Sequence, residues 1–452
     1  MAFPLPASQI TSRAAGARRG IVLAYNRRPI MPARVCLDVV AGPIQGKHFE
    51  FDGHDTFLFG RSPDCHAELA ADDATASRHH FLLEVNPPAA RLRDLGSLNG
   101  TYVNGQKHGG REKHLSPEQA KEKPWPQVDL RDGDLIRVGA TVINVRIDGV
   151  TAAPPPVVRD PSPLDLAIEI EDSSKTGPQN VVAGYALGPL LGRGGMGVVH
   201  LATRLSDGAT FALKLMRPEA AVDAHAREVF DRGIAVTGSL RHPNLVTMYA
   251  HGSQGDTFYF AMEYCAGGSL SGALLARQKP LDLDVAMRLA QQSLEGLSFA
   301  HEQGFIHRDI KPENILLSDA EMTTAKLTDF GLAKSFQQAG LSGMTATGFA
   351  AGTLQFMPRE QLTNFRLLRP ASDVWSMGAT VYYMLTLRYV RDFQAAKDPL
   401  AVVLGGNVVP IRDRKPQIPA ALAEVVDRAV GDDLNRRYSS ATEFRDALRK
   451  AL

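Results

Sequence analysis

Short apolar runs alternate with turn-forming residues through roughly the first third of the chain. The clearest runs are Cys36 to Val40, Thr56 to Phe59, His80 to Val85 and Leu135 to Val138. Gly, Pro, Asn and Asp separate them, a punctuation that is typical of strands joined by turns. The pattern predicts an all-β sandwich over residues 34–149, interrupted by a long polar loop at residues 109–128.

The pattern changes after a Pro-rich and acidic stretch at residues 150–183, which indicates an interdomain linker. Strand-like runs then surround a glycine cluster at residues 192–197. From about Leu283 onward the apolar residues recur at helical spacing. This predicts a small β-rich lobe joined to a larger helical lobe over residues 184–452. The longest apolar run, Val374 to Leu387, is too short to span a bilayer and predicts a core helix.

Composition narrows the range of partners. A chain of 452 residues suits two domains with connectors, and 50 basic against 49 acidic residues leave a formal charge of +1. Because no global positive field is present, we expect neither a nucleic-acid partner nor attachment to an anionic membrane. Three scattered cysteines, Cys36, Cys65 and Cys265, lack paired spacing, which favours a reducing, cytoplasmic location.

Residues 1–33 contain five arginines and no acid, a composition shared with organelle transit peptides. Met31 stands immediately before the first strand-like run. A disordered basic tail or an over-long start is therefore favoured over a targeting segment.

A glycine-rich segment follows the first strand-like run of the second domain. It has the pattern GxGxxGxV, with glycines at Gly192, Gly194 and Gly197 and a valine at Val199. Glycines let the backbone approach a polyphosphate closely, although glycine runs also form ordinary turns. Lys214 follows at hairpin distance in the strand-like segment Phe211 to Lys214, where it could hold phosphate groups.

Two further motifs complete a recognisable set. They are His307-Arg308-Asp309-Ile310-Lys311-Pro312-Glu313-Asn314 and, one hairpin later, Asp329-Phe330-Gly331. With these four motifs in order, the chain from about Tyr185 resembles the eukaryotic-like (Hanks-type) protein kinases and is similar to bacterial members. The resemblance implies a bilobal α+β kinase fold and transfer of the γ-phosphate of ATP to proteins.

The resemblance assigns a role to each charged residue. Phosphoryl transfer depends on positioning and charge neutralisation, so Asp309 would orient the acceptor hydroxyl and Lys311 would neutralise the transferred phosphate. Asn314 and Asp329 would bind Mg²⁺, which prefers oxygen ligands. Lys214 would hold the α- and β-phosphates of ATP. A lysine two residues after Asp309 is typical of serine/threonine kinases in this family.

The resemblance also implies an adenine site. Met262 would be the gatekeeper, and the backbone of the hinge would read the base. The expected hinge and covering residues are Glu263, Tyr264 and Cys265, with Val199 and Ala212 over the face of the base. Taken singly, the apolar members would be ordinary core residues.

A segment resembling the end of a kinase activation segment runs from Gly352 to Glu360, with Pro-Arg-Glu in place of the usual Ala-Pro-Glu. We expect Glu360 to pair with Arg437, although a surface ion pair is the alternative. We expect Asp373 to support the catalytic loop. Possible phosphorylation sites before this segment are Ser342, Thr345 and Thr347, which could equally be unmodified loop residues.

One position departs from the kinase pattern. Alignment places Gly233 where the family carries a helix glutamate that pairs with the strand lysine, so that Lys214 would lack this partner. Glu228 or Asp231 could substitute after a shift of the helix. A phosphopeptide-binding scaffold with a weakly active or inactive kinase fold is therefore the main alternative to an active kinase. A small-molecule phosphotransferase is disfavoured by the activation segment.

The sandwich carries its own ordered motifs, Gly60-Arg61-Ser62, Ser77-Arg78-His79-His80 and Asn99-Gly100-Thr101. Together they resemble the forkhead-associated (FHA) domain, which binds phosphothreonine. The resemblance implies phosphate binding by Arg61 and Ser77, help from Arg78 and a peptide-backbone contact by Asn99. An arginine fork with hydroxyl donors suits a phosphate dianion. His80 is expected inside the domain, supporting the loop. Metal binding by the adjacent histidines is disfavoured, because neighbouring strand residues point to opposite faces.

Overall fold

The structure is a computed structural model. It describes residues 33–53, 55–71, 73–110, 127–148, 181–194, 197–216, 234, 238–254, 257–330, 354–363, 368–393 and 398–452. The predicted tail, most of the linker, the alignment position Gly233 and the three possible phosphorylation sites lie outside these ranges.

Two packed sheets form the N-terminal domain, as the sequence predicts. Its strands are β1 (Arg34–Ala41), β2 (His48–Phe51), β3 (Asp55–Gly60), β4 (Ala67–Glu68), β5 (Phe81–Asn86), β6 (Ala89–Asp94), β7 (Thr101–Val103), β8 (Gln106–His108), β9 (Gln127–Leu130), β10 (Leu135–Val138) and β11 (Thr141–Asp148). One sheet has the order β2-β1-β11-β10-β7-β8 and the other β4-β3-β5-β6-β9. All pairings are antiparallel except that of β3 with β4.

The core of the sandwich is made by alternate residues of each strand. Phe59 of β3 stacks on Phe81 of β5 with ring centroids 4.5 Å apart. Val35 and Leu37 of β1 are completely buried against the same core. The period of two between inward-facing residues is the geometry of a strand, and it explains why these runs are strands and not helices.

A second β-rich unit follows the linker. Its strands are β12 (Val181–Val182), β13 (Tyr185–Gly194), β14 (Gly197–Arg204), β15 (Thr210–Met216), β16 (Met248–Gln254) and β17 (Thr257–Met262). They form one antiparallel sheet in the order β12-β13-β14-β15-β17-β16. Strand β12 thus includes residues that the sequence assigned to the linker, whose predicted end is residue 183.

Helices dominate the rest of the chain, again as predicted. They are α1 (Leu270–Arg277), α2 (Leu283–Glu302), α3 (Glu360–Thr363), α4 (Pro370–Thr386), α5 (Pro399–Gly405), α6 (Ile411–Arg414), α7 (Ala420–Ala429) and α8 (Ala441–Lys450). Short 3₁₀ turns cover Pro312–Asn314 and Leu354–Phe356, and β18 (Ile315–Leu317) pairs with β19 (Ala325–Leu327) as a hairpin.

Helix α4 is the centre of the helical lobe, and it corresponds to the apolar run predicted to be a core helix. Trp375 and Tyr382 are completely buried, and the Trp375 Nε1–H donates to the Val430 carbonyl at 2.7 Å. A helix that is apolar on all sides is normally buried on all sides. None of the helices in the described part of the chain has the length and apolarity needed to cross a bilayer.

Candidate active site and phosphopeptide loops

A carboxylate and a lysine face each other between the two lobes. Lys214 lies on β15, almost fully buried, and its Nζ is 2.8 Å from Oδ2 of Asp329. Burial favours the neutral acid, yet the adjacent ammonium lowers the pKa of Asp329 below its ordinary value. Lys214 is therefore paired across the cleft in this structure, while the helix positions considered as its partners lie outside the described residues.

A second cluster surrounds Asp309. The Lys311 Nζ lies 2.9 Å from Asp309 Oδ2, and the Asn314 Nδ2 donates to the same oxygen at 3.0 Å. Asp309 Oδ1 is buried and has no hydrogen-bond partner among the residues that the structure describes. Lys311 and Asn314 thus hold one oxygen of this carboxylate in place.

The loop that carries Asp309 is fixed by the buried Asp373 of α4, as predicted. Its two carboxylate oxygens accept the backbone N–H groups of His307 at 2.7 Å and Arg308 at 2.8 Å. Arg308 has φ of +70°, a conformation that costs energy for a non-glycine residue. The hydrogen bonds to Asp373 stabilise this turn of the backbone. The His307 Nε2–H donates to the Thr328 carbonyl at 2.9 Å, which ties the loop to the segment carrying Asp329.

The described glycines of the glycine-rich segment lie on two strands, Gly192 and Gly194 at the end of β13 and Gly197 at the start of β14. Gly197 has φ of +143°, and a Cβ there would lie 2.0 Å from the Leu215 carbonyl oxygen, so a larger residue would not fit. At Gly192 and Gly194 an added Cβ would meet open space. Of these three positions, packing in the described residues requires glycine only at Gly197.

The predicted hinge follows the end of β17. The Glu263 N–H donates to the Thr247 carbonyl at 2.9 Å, and the Glu263 carboxylate binds Lys326 at 3.0 Å. The side chain of Glu263 is therefore used in a structural ion pair. Burial, followed by the charge of Glu263, raises the pKa of Cys265 to about 11, so this thiol stays protonated at neutral pH. Ala212 is buried on β15 opposite Met262.

Glu360 and Arg437 form a buried pair and not a surface one. The Arg437 Nη1 lies 2.6 Å from Glu360 Oε1 and also donates to the Ala371 carbonyl. The Arg437 side chain is completely buried. Removing one member of such a pair leaves an uncompensated buried charge. This pair anchors Glu360, the last residue of the segment predicted to end the activation segment, to the helical lobe.

Three loops of the sandwich bring the predicted phosphate-binding residues together. The Arg61 N–H donates to the Ser77 carbonyl at 3.1 Å, and the Leu98 N–H donates to the Ser77 hydroxyl at 3.0 Å. The Asn99 amide donates to the Thr75 carbonyl at 2.9 Å. Arg61 has a buried Nε without a hydrogen-bond partner among the described residues, whereas Arg78 is exposed.

Two buried residues shape these loops. His80 is fully buried, as predicted, and its Nδ1 accepts the Ser77 N–H at 2.9 Å. Asp94 accepts the backbone N–H groups of Gly96 and Ser97 at 2.9 Å each, and its other oxygen accepts the Thr101 hydroxyl at 2.8 Å. Asp94 was missed in the sequence, although an Asp followed by Gly and Ser is a recognisable turn signal.

The loops also bring together Asp64, Cys65 and His79, whose ligand atoms lie within 4.8 Å of one another. The guanidinium of Arg359 occupies the Asp64 carboxylate, and His79 binds it from the other side at 3.0 Å. Burial, followed by the charge of Asp64, raises the pKa of Cys65 to about 12. A neutral thiol beside a bound guanidinium is a poor metal site.

Comparison with known families follows the same division of the chain. A model of the protein kinase domain matches residues 185–447, which is more than half of the chain. The chain belongs to the protein kinase family. A model of the FHA domain matches residues 57–139, within the sandwich.

Serine/threonine kinases of bacteria are among the relatives of this kinase domain. PknJ of Mycobacterium tuberculosis is 33% identical over 279 residues, covering 60% of this chain and 46% of that protein. PknB of Mycolicibacterium smegmatis is 32% identical over 279 residues, covering 60% of this chain and 43% of that protein. The chain thus spans less than half the length of these two curated relatives.

Two solved structures are similar to this chain at low sequence identity. Rad53 residues 1–466 in complex with AMP-PNP is 23% identical, with a TM-score of 0.48, covering 92% of this chain and 100% of that one. The PknI kinase domain of Mycobacterium tuberculosis is 21% identical, with a TM-score of 0.48, covering 62% of this chain and 100% of that one.

Proposed function

We propose that this chain is an ATP- and Mg²⁺-dependent protein serine/threonine kinase. The observation that carries the proposal is the arrangement around Asp309, where Lys311 and Asn314 bind one carboxylate oxygen and Asp373 fixes the backbone of the loop. A substrate hydroxyl that donates to the Asp309 carboxylate would be oriented for attack on phosphorus. Because phosphoryl transfer needs positioning more than covalent help from the enzyme, this geometry suits the reaction.

Two lysines would neutralise different phosphate groups of ATP. Lys214 would hold the α- and β-phosphates, and Lys311 would neutralise the oxygens of the transferred group. The acceptor oxygen forms the new bond to phosphorus as the bond to the β-phosphate oxygen breaks, and Asp309 receives the hydroxyl proton. Asn314 and Asp329 offer amide and carboxylate oxygens that fit Mg²⁺, which when bound supplies charge neutralisation for the phosphates.

The nucleotide would enter between the glycine turn and the hinge. The open space beside Gly192 and Gly194 leaves room for phosphates. The base would lie against Val199 and Ala212, with the carbonyl of Glu263 and the backbone of Cys265 reading its edge. A cytoplasmic setting completes the proposal, and the three cysteines are free thiols.

Transfer of labelled phosphate from ATP to dephosphorylated casein tests the catalytic proposal. We expect Asp309→Asn to lower kcat at least about 100-fold with little change in ATP affinity, because the acceptor loses its orienting carboxylate. The matched control is Asp284→Asn, an exposed carboxylate in the first turn of α2. Equal activity in wild type and Asp309→Asn would overturn the assignment.

The alternative of a phosphopeptide-binding scaffold with an inactive kinase fold remains open because Gly233 replaces the helix glutamate in the sequence. Lys214 pairs with Asp329 in this structure, so both groups must exchange this contact for ATP and Mg²⁺. Gly233→Glu distinguishes the two functions. A strong gain of kcat would show that the missing glutamate limits an active kinase, whereas a chain that binds ATP but transfers no phosphate would be the scaffold.

For the sandwich we propose phosphothreonine binding through Arg61, Ser77, Arg78 and Asn99. The convergence of their loops and the unpartnered buried Nε of Arg61 support it. Fluorescence anisotropy with a phosphothreonine peptide library and with peptides of residues 339–351 phosphorylated at Thr345 or Thr347 tests it. We expect the unphosphorylated peptides to bind at least tenfold more weakly, since the phosphate supplies the charge-assisted hydrogen bonds. Binding that does not depend on phosphate would contradict it.

A further inference from the structure

The FHA sandwich packs against the helical lobe of the kinase through a face that would otherwise meet solvent. Leu58 of β3 and Leu82 of β5 are 0% and 7% exposed, although their neighbours Phe59 and Phe81 are the ones that point into the sandwich core. Both leucines belong to a cluster shared with the kinase domain. Its other buried members are Leu95, Leu354, Met357, Leu362, Leu400, Val403 and Leu404.

Two ion pairs border this apolar contact. Arg93 lies opposite Leu82 in the strand register, and its Nη2 is 3.0 Å from Asp398 Oδ2, with the Asp398 side chain only 1% exposed. Asp64 of the sandwich pairs with Arg359 of the kinase. Burial alone would raise the pKa of Asp64, but hydrogen bonds from Ser62 and His79 and the charge of Arg359 lower it to about 2. The Arg93–Asp398 pair is buried, and a buried ion pair requires a defined geometry between the two domains.

The sequence of the two strands supports a permanently covered face. A sheet with one face in water alternates apolar and polar residues, whereas Phe57 to Phe59 and Phe81 to Leu83 are continuously apolar. Arg91, two residues before Arg93 on the same strand, pairs with the exposed Asp129 of its own domain. The apolar character is thus concentrated where the kinase domain contacts the sheet.

The kinase side of this contact adjoins the catalytic loop. The Gln361 Nε2 donates to the Arg308 carbonyl at 2.7 Å, one residue before Asp309, and the Arg391 Nη1 donates to the Met357 carbonyl at 3.3 Å. An extended polypeptide advances about 3.3 Å per residue. A protein that presents a hydroxyl to Asp309 must therefore lay several flanking residues over the surface next to this loop.

We propose that the FHA sandwich is an autoinhibitory cap that occupies the protein-docking surface of the kinase domain. The proposal rests on the proposed function, since it takes Asp309 as the acceptor-binding residue. The cap contacts the surface through three leucines, Leu58, Leu82 and Leu95, and through the Arg93 guanidinium and the Asp64 carboxylate. A protein substrate that displaces it must offer the same chemistry, apolar side chains beside a basic one that binds Asp398.

Binding of fluorescein-labelled dephosphorylated casein to the full chain, without ATP, tests the cap independently of catalysis. Arg93→Glu places a carboxylate against Asp398 and should open the contact, as should Leu82→Glu. We expect each variant to bind casein at least roughly tenfold more tightly than wild type, because breaking a buried pair strongly shifts the docked population. Arg91→Glu is the matched control, with the same charge change on the same strand, and should bind like wild type.

Hydrogen–deuterium exchange on the same proteins reports docking directly. In Arg93→Glu and Leu82→Glu, but not in Arg91→Glu, exchange should rise in strands Asp55–Gly60 and Phe81–Asn86 and in residues 354–363. Charge swapping in Arg93→Glu/Asp398→Arg should restore protection and weak casein binding. Unchanged exchange, or increased exchange with unchanged casein binding, would overturn the cap. Absence of phosphate transfer from all variants would overturn the proposed kinase function instead.

Discussion

The catalytic loop and the phosphopeptide loops are positioned by the same device, a buried aspartate that accepts backbone N–H groups. Asp373 holds His307 and Arg308, and Asp94 holds Gly96 and Ser97. Both aspartates are 1% exposed. An ionised acceptor makes stronger hydrogen bonds than a neutral one, so each carboxylate can stabilise a loop that lacks regular structure.

The two regions differ in the charges that they present. In the cleft, positive and negative side chains are paired, Lys214 with Asp329 and Lys311 with Asp309. The sandwich loops present the basic side chains of Arg61 and Arg78. A site that transfers a phosphate needs carboxylates for the acceptor and the metal as well as cations, whereas a site that only holds a phosphate needs donors. The two regions therefore use the same kind of loop support, a buried aspartate, and differ in the charges of the side chains around it.

Among the changes that test this comparison, Asp373→Asn should have the largest effect. An amide has one acceptor oxygen and would turn an N–H₂ donor toward one of the two backbone N–H groups, so the loop should shift. A misplacement of about 1 Å can cost roughly 100-fold in rate, and we expect kcat on casein to fall by that order. The control is Asp427→Asn, which removes a carboxylate that accepts the Ile411 N–H away from the cleft and should leave kcat unchanged. If Asp373→Asn kept the kcat of the wild type, Asp373 would not be needed to position the catalytic loop.

The corresponding change in the sandwich is Asp94→Asn. We expect phosphopeptide affinity to fall by roughly 10- to 100-fold, which is the range found when a hydrogen bond that supports a metal ligand is removed. ATP affinity should stay the same. Anisotropy with the phosphothreonine library measures the first and calorimetry the second. Asp129→Asn, at an exposed pair in the same domain, is the control. Loss of ATP binding together with peptide binding would mean that Asp94 supports the whole chain and not its own loop.

Motifs with fixed local spacing made much of the fold and of the catalytic site predictable from the sequence. The support of the catalytic loop by Asp373 and the pairing of Glu360 with Arg437 were predicted and are confirmed, because each residue stands in a motif whose neighbours identify it. The strands of the sandwich were predicted from short apolar runs bounded by turn residues, and the core helix from the apolar run Val374 to Leu387. The assigned roles in binding and catalysis stay predictions.

Contacts between distant segments were not predictable in this way. Lys214 and Asp329 lie 115 positions apart, and Arg93 and Asp398 lie 305 apart, so no spacing links them. The covered face of the sandwich did leave a signal, the loss of alternation around Leu58 and Leu82. That signal shows that a face is covered and does not identify what covers it.

Substitution of the two arginines predicted to bind phosphate should lower phosphopeptide affinity by smaller and unequal amounts. Arg61 is partly buried with an unpartnered Nε, whereas Arg78 is exposed. Arg61→Lys removes a planar fork that an ammonium cannot replace, and we expect roughly tenfold weaker phosphopeptide binding. Arg78→Lys should cost less than about threefold, as an exposed ion pair contributes little. Anisotropy measures both, and equal losses would show that the site is a diffuse basic patch and not a built fork.

The smallest expected effect is a pH dependence confined to the sandwich. Burial lowers the pKa of His80 despite the nearby charge of Asp94, so the folded domain keeps this ring neutral. The unfolded chain takes up the proton near pH 6.5, and the stability that depends on a neutral ring is therefore present above that pH and lost below it.

This linkage weakens the domain by at most about 1.4 kcal/mol per pH unit below 6.5. Exchange in strand Phe81–Asn86 should accordingly rise between pH 7 and pH 5.5 after correction for the intrinsic rate. His80→Asn cannot titrate and should show a flatter profile over the same range. Identical profiles would mean that Asp94, and not the neutral ring of His80, holds this loop, as Asp373 holds the loop that carries Asp309.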